Sequence, residues 1–306
     1  MDKMSEIKPE EMRCGFIGLV GAPNAGKSTL LNALVGSKVS IVSPKVQTTR
    51  SIVRGICIDD KSQLVFVDTP GIFLPKQTLE RAIVDAAWQG ANEADVLALV
   101  VDARKGICKN TQLILQSLKN HPGKTCLILN KTDTVKAHEL LPLTKELNEA
   151  YPFERTFMVS ALKHDGVDDI KAYFAKEVPQ GPWHYPEDQI SDAPLRFLAA
   201  EIVREQLFMQ LQQELPYHLT VMTEHMEENA NGSLKIHVMI YVTRDSQKQI
   251  VIGKGGARLK NVGERARSEL TKALDRKIHL FTFVKVKKDW LDRPEMYQDM
   301  GLEFPK

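Results

Sequence analysis

The sequence has few cysteines, no long apolar run and no histidine cluster. Its four cysteines lie far apart and form no CxxC pair, which argues against a zinc site and indicates buried thiols in a reducing compartment. The longest aliphatic run is Val96–Val101, whereas a membrane-spanning helix needs about 20 apolar residues. The eight histidines form no HxxxH or HxH pair. Nothing therefore supports a metal hydrolase or a nucleophile triad.

Neither sign of charge dominates, because 41 Lys and Arg face 39 Asp and Glu, for a net charge of +2. The 43% hydrophobic content excludes a wholly disordered chain. The first residues, MDKMSEIKPEEM, are polar and of mixed charge, unlike a secretion signal or a transit peptide. We expect a cytoplasmic protein, and the length of 306 residues predicts two domains.

A proline-rich segment divides the chain. Four of the 15 prolines in the chain fall at positions 179, 182, 186 and 194, and this clustering favours an interdomain linker over a long loop within one domain. The predicted organisation is a disordered tail at 1–12, a first domain at 13–178, a linker at 179–194 and a second domain at 195–306.

Short apolar runs alternate with helix-like segments in the first domain. The runs are CGFIGLVG, RGICID, QLVFVD, VLALVVDA, TCLILN and TFMVS. Runs that are apolar almost throughout are typical of strands buried on both faces of a sheet. We therefore predict a doubly wound α/β domain with a mostly parallel sheet, whose ligands bind at the carboxyl ends of the strands.

A phosphate-binding loop follows the first of these runs. Gly21–Ser28, GAPNAGKS, fits the pattern GxxxxGK[ST] between a strand and a helix. Its glycines let the backbone wrap an anion, and the helix N-terminus supplies free N–H groups. Lys27 would reach the β- and γ-phosphates, and the Ser28 hydroxyl would bind Mg²⁺. The alternative is a plain glycine-rich turn.

Two further motifs follow strand ends. Asp68-Thr69-Pro70-Gly71 places a carboxylate where it can hold Mg²⁺ through water and places the Gly71 N–H where it can meet a γ-phosphate, although DTPG could also be a mere turn. In Asn130-Lys131-Thr132-Asp133, the Asp133 carboxylate matches the two adjacent N–H donors of guanine, which adenine lacks. Ser160-Ala161-Leu162 would supply a backbone N–H to guanine O6.

The order GAPNAGKS, TT, DTPG, NKTD and SAL resembles the five nucleotide motifs of the small GTPase superfamily, and its spacing is similar to that of the bacterial Era-type GTPases. The resemblance implies GTP or GDP and Mg²⁺ as cofactors. It implies that Thr48 or Thr49 is the switch threonine that closes on Mg²⁺, with Thr49 preferred, and that Lys27, Thr49 and Gly71 act in hydrolysis. It extends the nucleotide contacts to Gly21, Asn24, Ala25, Gly26 and Thr29.

The residues after DTPG and within the phosphate loop bear on the rate of hydrolysis. Ile72 stands where many regulatory GTPases have a glutamine that orients the attacking water, so we expect slow intrinsic hydrolysis. The resemblance implies that Asn24 helps coordinate K⁺, which stimulates the reaction; the alternative is a turn residue in left-handed geometry. Arg50 could act in cis or be a solvated arginine.

The second domain contains a basic module. Residues 244–288 carry 13 Lys and Arg against 4 Asp and Glu, a footprint of nucleic-acid binding, although charge alone suits a solvated helix face equally well. The loop Gly253-Lys254-Gly255-Gly256 lets an RNA backbone approach closely. The predicted order α-β-β-α-α-β includes a helix at 195–215, strands at 219–227 and 234–242, and a last strand at 278–288. This order resembles a type II KH domain. The proposed RNA contacts are Ile252, Gly253, Lys254, Gly255, Gly256, Arg258 and Lys260, with Lys285 and Lys287 extending the same positive surface.

A GTPase domain followed by a KH domain resembles the Era-type GTPases along nearly the whole chain. The resemblance implies binding of single-stranded RNA near the 3′ end of 16S ribosomal RNA, assembly of the small (30S) ribosomal subunit and loose association with the inner membrane surface. We expect a monomer that binds no DNA, and nucleotide-dependent changes at 45–50 and 71–76 that alter RNA affinity. The rivals are an RNA-binding scaffold whose nucleotide only supports folding, and an ATP-driven enzyme, which Asp133 disfavours.

Overall fold

The computed structural model describes residues 9–305 and divides them into two compact units. The first comprises 9–40 and 49–192, and the second comprises 41–48 and 193–305. The chain therefore passes between the units at Ser40–Ile41 and Thr48–Thr49 as well as at Asp192–Ala193. Most of the segment predicted as a linker, 179–192, lies within the first unit.

The first unit has a mostly parallel sheet with the strand order β2-β3-β1-β4-β5-β6, in which β2 is antiparallel to β3. Its strands are β1 (Arg13–Val20), β2 (Val53–Asp59), β3 (Ser62–Asp68), β4 (Val96–Asp102), β5 (Lys124–Asn130) and β6 (Thr156–Val159). Its helices are α1 (Lys27–Val35), α2 (Thr78–Asn92), α3 (Lys109–Leu118), α4 (Ala137–Ala150) and α5 (Val167–Glu177). The predicted α/β fold class is confirmed.

Helices cover both faces of this sheet. Alternate residues of β4, such as Leu97 and Leu99, pack against α2, α3 and α4, while α1 and α5 contact β2 and β3 from the other side. Every residue of β3 and β4 is buried as a result, which is why both strands are apolar almost throughout. Their last residues, Asp68 and Asp102, lie at the same carboxyl edge of the sheet, on either side of β1.

The proline-rich segment is an extended strap on the first unit rather than a free linker. The Cys14 N–H donates to Pro179 O (3.1 Å), and Gln63 Nε2 donates to Tyr185 O (2.7 Å). Trp183 is buried at 8% exposure. Prolines suit such a strap because an extended edge segment does not need every N–H. Of the predicted tail, residues 1–8 lie outside the described residues, and Met12 is buried with Cys14 and Trp183.

The second unit has the element order α-β-β-α-α-β, as predicted, followed by a short helix. Its elements are α6 (Leu195–Gln210), β7 (Leu219–Glu228), β8 (Leu234–Val242), α7 (Asp245–Ile252), α8 (Ala257–Leu274), β9 (Ile278–Val286) and α9 (Pro294–Asp299). β8 pairs antiparallel with β7 and parallel with β9. α6 ends five residues before the predicted Leu215, since Leu211 is already extended and Gln213 adopts a φ of +55°.

One face of this three-stranded sheet forms the core of the second unit. Ile236, Val238 and Ile240 of β8 pack with residues of α6 and α8, including Val203 and Val262. The intervening residues of β8 and β9 turn to the other face, because side chains alternate along a strand. Within residues 9–305, no helix is both long and apolar enough to cross a membrane.

Candidate nucleotide site and nucleic-acid interface

Glycines shape the phosphate loop between β1 and α1. A Cβ on Gly21 would collide with the Val100 carbonyl oxygen, and Gly26 has a φ of +98° with the Asn130 amide against the place where its Cβ would lie. No other residue type fits either position without moving neighbouring backbone or side chains. Asn24 shares the left-handed geometry, with a φ of +63°. The loop leads directly into the first turn of α1, which includes Thr29 and whose N–H groups are free to bind an anion.

Lys27 lies at the base of this loop. Its ammonium donates to Gly21 O (3.1 Å) and Ala22 O (3.4 Å), and the residue is only 6% exposed. Burial lowers the pKa of Lys27 to about 8, against the opposing attraction of Asp68. A phosphate group beside this ammonium would raise the pKa of Lys27 again, since a nearby anion favours the protonated form.

Four side chains from separate parts of the chain meet next to Lys27. Ser28 Oγ donates to Asp68 Oδ2 (2.6 Å) and lies 2.8 Å from Thr49 Oγ1, while Ser40 Oγ also donates to Asp68 Oδ2 (2.9 Å). Asp68 is fully buried, and this burial raises the pKa of its carboxyl. Its other oxygen, Oδ1, is buried and accepts no hydrogen bond from the described residues.

These residues fit a magnesium ion. Mg²⁺ prefers hard oxygen ligands and keeps several waters, and it would compensate a carboxylate buried with an unsatisfied oxygen. Of the two candidate threonines, Thr49 is the one that joins the cluster. Thr48 Oγ1 instead bonds Lys45 O (2.7 Å) and Ser43 Oγ (2.5 Å) in the second unit.

The DTPG segment packs against the phosphate loop. Ile72 N donates to Gly21 O (3.0 Å), and a Cβ on Gly71 would come within 2.8 Å of Pro23 Cα. Ile72 itself is buried in the core with Ala87 and Leu99, so it faces away from the nucleotide. Arg50 is 3% exposed, which excludes the solvated alternative.

Asn130 connects the NKTD segment to the phosphate loop. Its side chain donates to Ala25 O (3.0 Å) and accepts from the backbone N–H groups of Lys131 (2.8 Å) and Ala161 (3.1 Å). Lys131 donates to Asn24 O (2.5 Å) and Asp102 Oδ2 (2.8 Å).

Asp102 is a site residue that the sequence analysis missed. Burial alone would raise the pKa of Asp102, but hydrogen bonds from Arg104 and Lys131 outweigh it and lower that pKa. The carboxylate is therefore charged and fixes the ammonium of Lys131. Its place at the end of β4, between two motif-bearing strands, was the available signal.

Of the residues proposed to select guanine, Asp133 and Leu162 are exposed, whereas Ser160 and Ala161 are buried. The Asp133 Oδ1 accepts from Ser160 Oγ (2.6 Å), which fixes the carboxylate. The Ala161 N–H already donates to Asn130, so guanine O6 would depend on neighbouring N–H groups of the loop, such as that of the exposed Leu162.

The GKGG loop joins α7 to α8 in the second unit. Gly253, Gly255 and Gly256 have φ values of +73°, +59° and +81°, and Gly255 and Gly256 have open space where a Cβ would lie. Lys254 and Lys260 are exposed, as is Ile250 at 49%, while the neighbouring Ile252 is partly buried. The Arg258 guanidinium is held by Ile250 O. The loop can therefore accept an anionic backbone beside an apolar side chain.

Lys285 does not lie on this surface. It occupies the face of β9 that points away from the helices, because it alternates with Val284 and Val286, which pack on the core. Lys287 follows β9 with its ammonium 5.5 Å from the centre of the Tyr241 ring. The prediction of one continuous positive surface is therefore wrong.

Residues 41–48 form an unpredicted part of the second unit. Arg204 of α6, only 2% exposed, donates to Thr48 O and forms an ion pair with Glu201 (2.5 Å). Glu205 accepts from Val42 N (2.8 Å), and Ile41 joins the apolar core. Two charged side chains on the buried side of a helix were the sequence signal, because such residues need partners.

Comparisons with known families agree with both halves of this description. Residues 16–131 match the family of 50S ribosome-binding GTPases, and residues 214–291 match the KH domain. The solved structure of an Era in complex with MgGDPNP and nucleotides 1506–1542 of 16S ribosomal RNA aligns with a TM-score of 0.90 at 40% identity, covering 95% of this chain and 99% of the other. The Aquifex aeolicus Era variant bound to GDP and AlF₄⁻ aligns equally well, with the same score, identity and coverage.

Curated relatives match over their full lengths. The GTPase Era of Mesorhizobium japonicum is 56% identical over 305 residues, 99% of this chain and 98% of the relative. The GTPase Era of Brucella suis biovar 1 is 53% identical over 300 residues, 98% of this chain and 96% of the relative. With both domains matched in order and nearly every residue aligned, this chain belongs to the Era family of GTPases.

Proposed function

We propose that this protein is a GTP-hydrolysing switch that grips single-stranded RNA near the 3′ end of 16S ribosomal RNA and assists assembly of the 30S subunit. The observation that carries the proposal is the convergence of Ser28, Thr49 and Asp68 beside Lys27. Lys27 and the loop N–H groups bind phosphates, and Ser28 and Thr49 ligate Mg²⁺, with Asp68 holding it through water. Mg²⁺ held by these residues would supply positive charge to the phosphates.

The intrinsic reaction is slow and is accelerated by K⁺. Ile72 is buried and cannot orient water, so the position that holds a glutamine in many GTPases contributes nothing here. Asn24 has the loop position and the polar side chain to help coordinate a monovalent cation. Replacing KCl by NaCl at equal ionic strength should slow hydrolysis, and Asn24→Ala should remove this difference while leaving GDP binding intact.

RNA binding rests on the GKGG loop and on the family relatives. Its exposed Gly255 and Lys254 leave room and charge for a backbone phosphate. The Era structure at 40% identity contains nucleotides 1506–1542 of 16S ribosomal RNA, which supports the same RNA as the partner of this chain. A cytoplasmic monomer, loosely associated with the membrane surface, remains part of the proposal on family resemblance alone.

Nucleotide state reaches the second unit through the chain itself. The Thr49 hydroxyl belongs to the Mg²⁺ cluster, and the carbonyl of the preceding Thr48 is held by Arg204 of α6. A displacement of Thr49 on loss of the γ-phosphate is therefore transmitted to residues 41–48, which are part of the second unit. This coupling affects RNA only if the two nucleotide states have different RNA affinities.

The decisive experiment measures binding of a labelled 16S 3′-end RNA fragment to the full chain with GDP and with a non-hydrolysable GTP analogue. Tight binding with the analogue only, lost in Gly255→Asp, supports the proposal. Equal binding in both states refutes the switch, and no binding refutes the RNA partner.

Arg204→Ala tests the coupling. It should reduce the difference in RNA affinity between the two nucleotide states and leave GDP affinity unchanged. Arg196→Ala is the matched control, because Arg196 lies on the same helix but donates to Thr223 O and Glu224 O. A full nucleotide effect in Arg204→Ala would contradict the route through Thr48.

The alternative is a scaffold that binds RNA and only gains stability from guanine nucleotide. The buried Ile72 favours it. It predicts no phosphate release even with K⁺ and RNA present, so a phosphate-release assay under those conditions separates the two functions.

A further inference from the structure

The three-stranded sheet of the second unit has a face that points away from α6 and α8. Along β9 this face carries His279, Phe281, Phe283 and Lys285, in alternation with residues that face the core. The two phenylalanines are 45% and 46% exposed. Two large exposed rings lie at successive positions on the same face of one strand. Exposed apolar side chains grouped in this way commonly mark a binding site.

The neighbouring strand extends the aromatic surface. β8 is in register with β9, so that His237 lies beside Phe281 and Tyr241 lies beside Lys285. The His237 ring centre is 5.0 Å from that of Phe281 and 5.9 Å from that of Phe283. The rings therefore form a contiguous group, which we term the open sheet face.

Positive charge borders this group. Lys285 lies on the same strand as the two phenylalanines, and the Lys287 ammonium lies over the Tyr241 ring. Two nearby carboxylates already have partners within the sheet, while a third, Asp299, acts on Tyr241 only through its charge. Tyr241 donates to Glu224 (2.7 Å), and Glu227 pairs with a lysine of β8 (3.0 Å).

We propose that the open sheet face is a second RNA-binding surface, on which bases stack against Phe281 and Phe283 while backbone phosphates meet Lys285 and Lys287. Alternate residues of a strand are about 6.6 Å apart, so the two rings can serve successive bases. Because every base has a π-face, stacking on these rings should depend little on the RNA sequence. The surface goes beyond the GKGG site, which lies on the helical side of the unit.

The lysines of the face favour RNA over a protein partner. Its positions on β8 and β9 contain no Leu, Ile or Val, all of which point to the core, and Met239 is their one aliphatic side chain without a charge. Lysine is depleted from the centres of protein interfaces, whereas here Lys285 directly follows Phe283 along the face. Aromatic rings interleaved with cations are the pattern that binds single strands.

The test uses the full chain and a labelled oligouridine of about 12 nucleotides in fluorescence anisotropy. Phe281→Ala and Phe283→Ala should each weaken binding about tenfold, while Phe281→Tyr should stay close to the unchanged chain. Lys285→Ala should reduce the slope of log Kd against log salt by about 0.7. Met209→Ala is the control, because Met209 is similarly exposed (47%) but belongs to α6.

Gly255→Asp separates this surface from the GKGG site. In that background, the remaining oligouridine binding should fall further on addition of Phe281→Ala and Phe283→Ala. Unchanged affinity in the combined variant overturns the proposal and leaves protein docking to explain the exposed rings. Loss of all binding in Gly255→Asp alone also overturns it, whereas no effect of Gly255→Asp contradicts only the GKGG site.

Crosslinking provides a readout that does not depend on any substitution. Oligonucleotides containing 4-thiouridine should crosslink to peptides that include 279–287 of the unchanged chain. Crosslinks confined to 250–260 would contradict a second surface.

Discussion

The pKa of Lys27 makes nucleotide affinity depend on pH in a defined direction. Burial lowers this pKa to about 8 in the nucleotide-free protein, and a bound phosphate raises it again. GDP therefore binds the protonated form, and the apparent affinity falls as the free protein loses this proton. For a pKa near 8, affinity should fall about fourfold between pH 7.0 and pH 8.5.

The same proton can be counted by calorimetry. Binding should take up about 0.1 proton at pH 7.0 and about 0.8 at pH 8.5, measured by titrating GDP in buffers of different ionisation enthalpy. Lys27→Arg is the matched variant, because arginine keeps its charge over this range. Its binding is expected to be weaker but independent of pH.

Stability of the nucleotide-free protein should change in the opposite direction. Because the folded-state pKa lies below the unfolded value of 10.5, the unfolded chain binds more protons between pH 8 and 10.5, and unfolding becomes harder as pH rises. Between pH 7.0 and pH 8.5 the free energy of unfolding should therefore rise by about 1 kcal/mol more in the unchanged protein than in Lys27→Arg. A flat affinity profile in the unchanged protein, or an equal slope in Lys27→Arg, would refute the reasoning.

Three further predictions concern the other motifs. Asn130→Ala should lower the free energy of unfolding in urea by about 2–3 kcal/mol, because it leaves buried backbone groups unpaired; a loss below about 0.5 kcal/mol would contradict this. Gly71→Ala should slow GTP hydrolysis about tenfold with GDP affinity retained, since its Cβ would meet Pro23. Asp133→Asn should shift preference in competition binding from GTP to xanthosine triphosphate, and unchanged preference would remove Asp133 from base selection.

The fold of the first unit was predictable because the sequence patterns that indicate it are local. β3 and β4 are buried on both faces, so each contains a continuous apolar run, at Leu64–Val67 and at Val96–Val101. The phosphate loop was equally predictable, since Gly21 and Gly26 each fill a position where a Cβ collides. Both signals depend on a few adjacent residues.

The proline-rich strap shows where local signals fail. Pro179 and its neighbours correctly excluded helix, but exclusion of helix does not distinguish a free linker from an extended segment bound to a sheet. The distinction depends on Gln63 and Lys61, more than 100 residues earlier, which bond Tyr185 and Trp183. No pattern within the strap reports partners at that distance.

The position of Lys285 was predictable but was missed. Period-two alternation had already placed Val284 and Val286 on one face, so Lys285 had to lie on the other with Phe283 and Phe281. Counting charge over 244–288 combined side chains that the sheet separates. Assigning each lysine to a face before adding charges would have revealed the open sheet face from the sequence.

Chain continuity would let a bound nucleotide act on the second unit, as proposed above, without any ligand contact there. The loop 41–48 has polar composition and no periodicity, so its sequence indicates neither unit, yet Ile41 and Thr48 are fixed by the core and by Arg204. Thr49, one peptide bond later, belongs to the Mg²⁺ cluster of the first unit. A peptide bond transmits displacement without the freedom of a flexible linker. A displacement of Thr49 is therefore either absorbed by the φ and ψ angles of Thr48 and Thr49 or passed on to the segment held by Arg204.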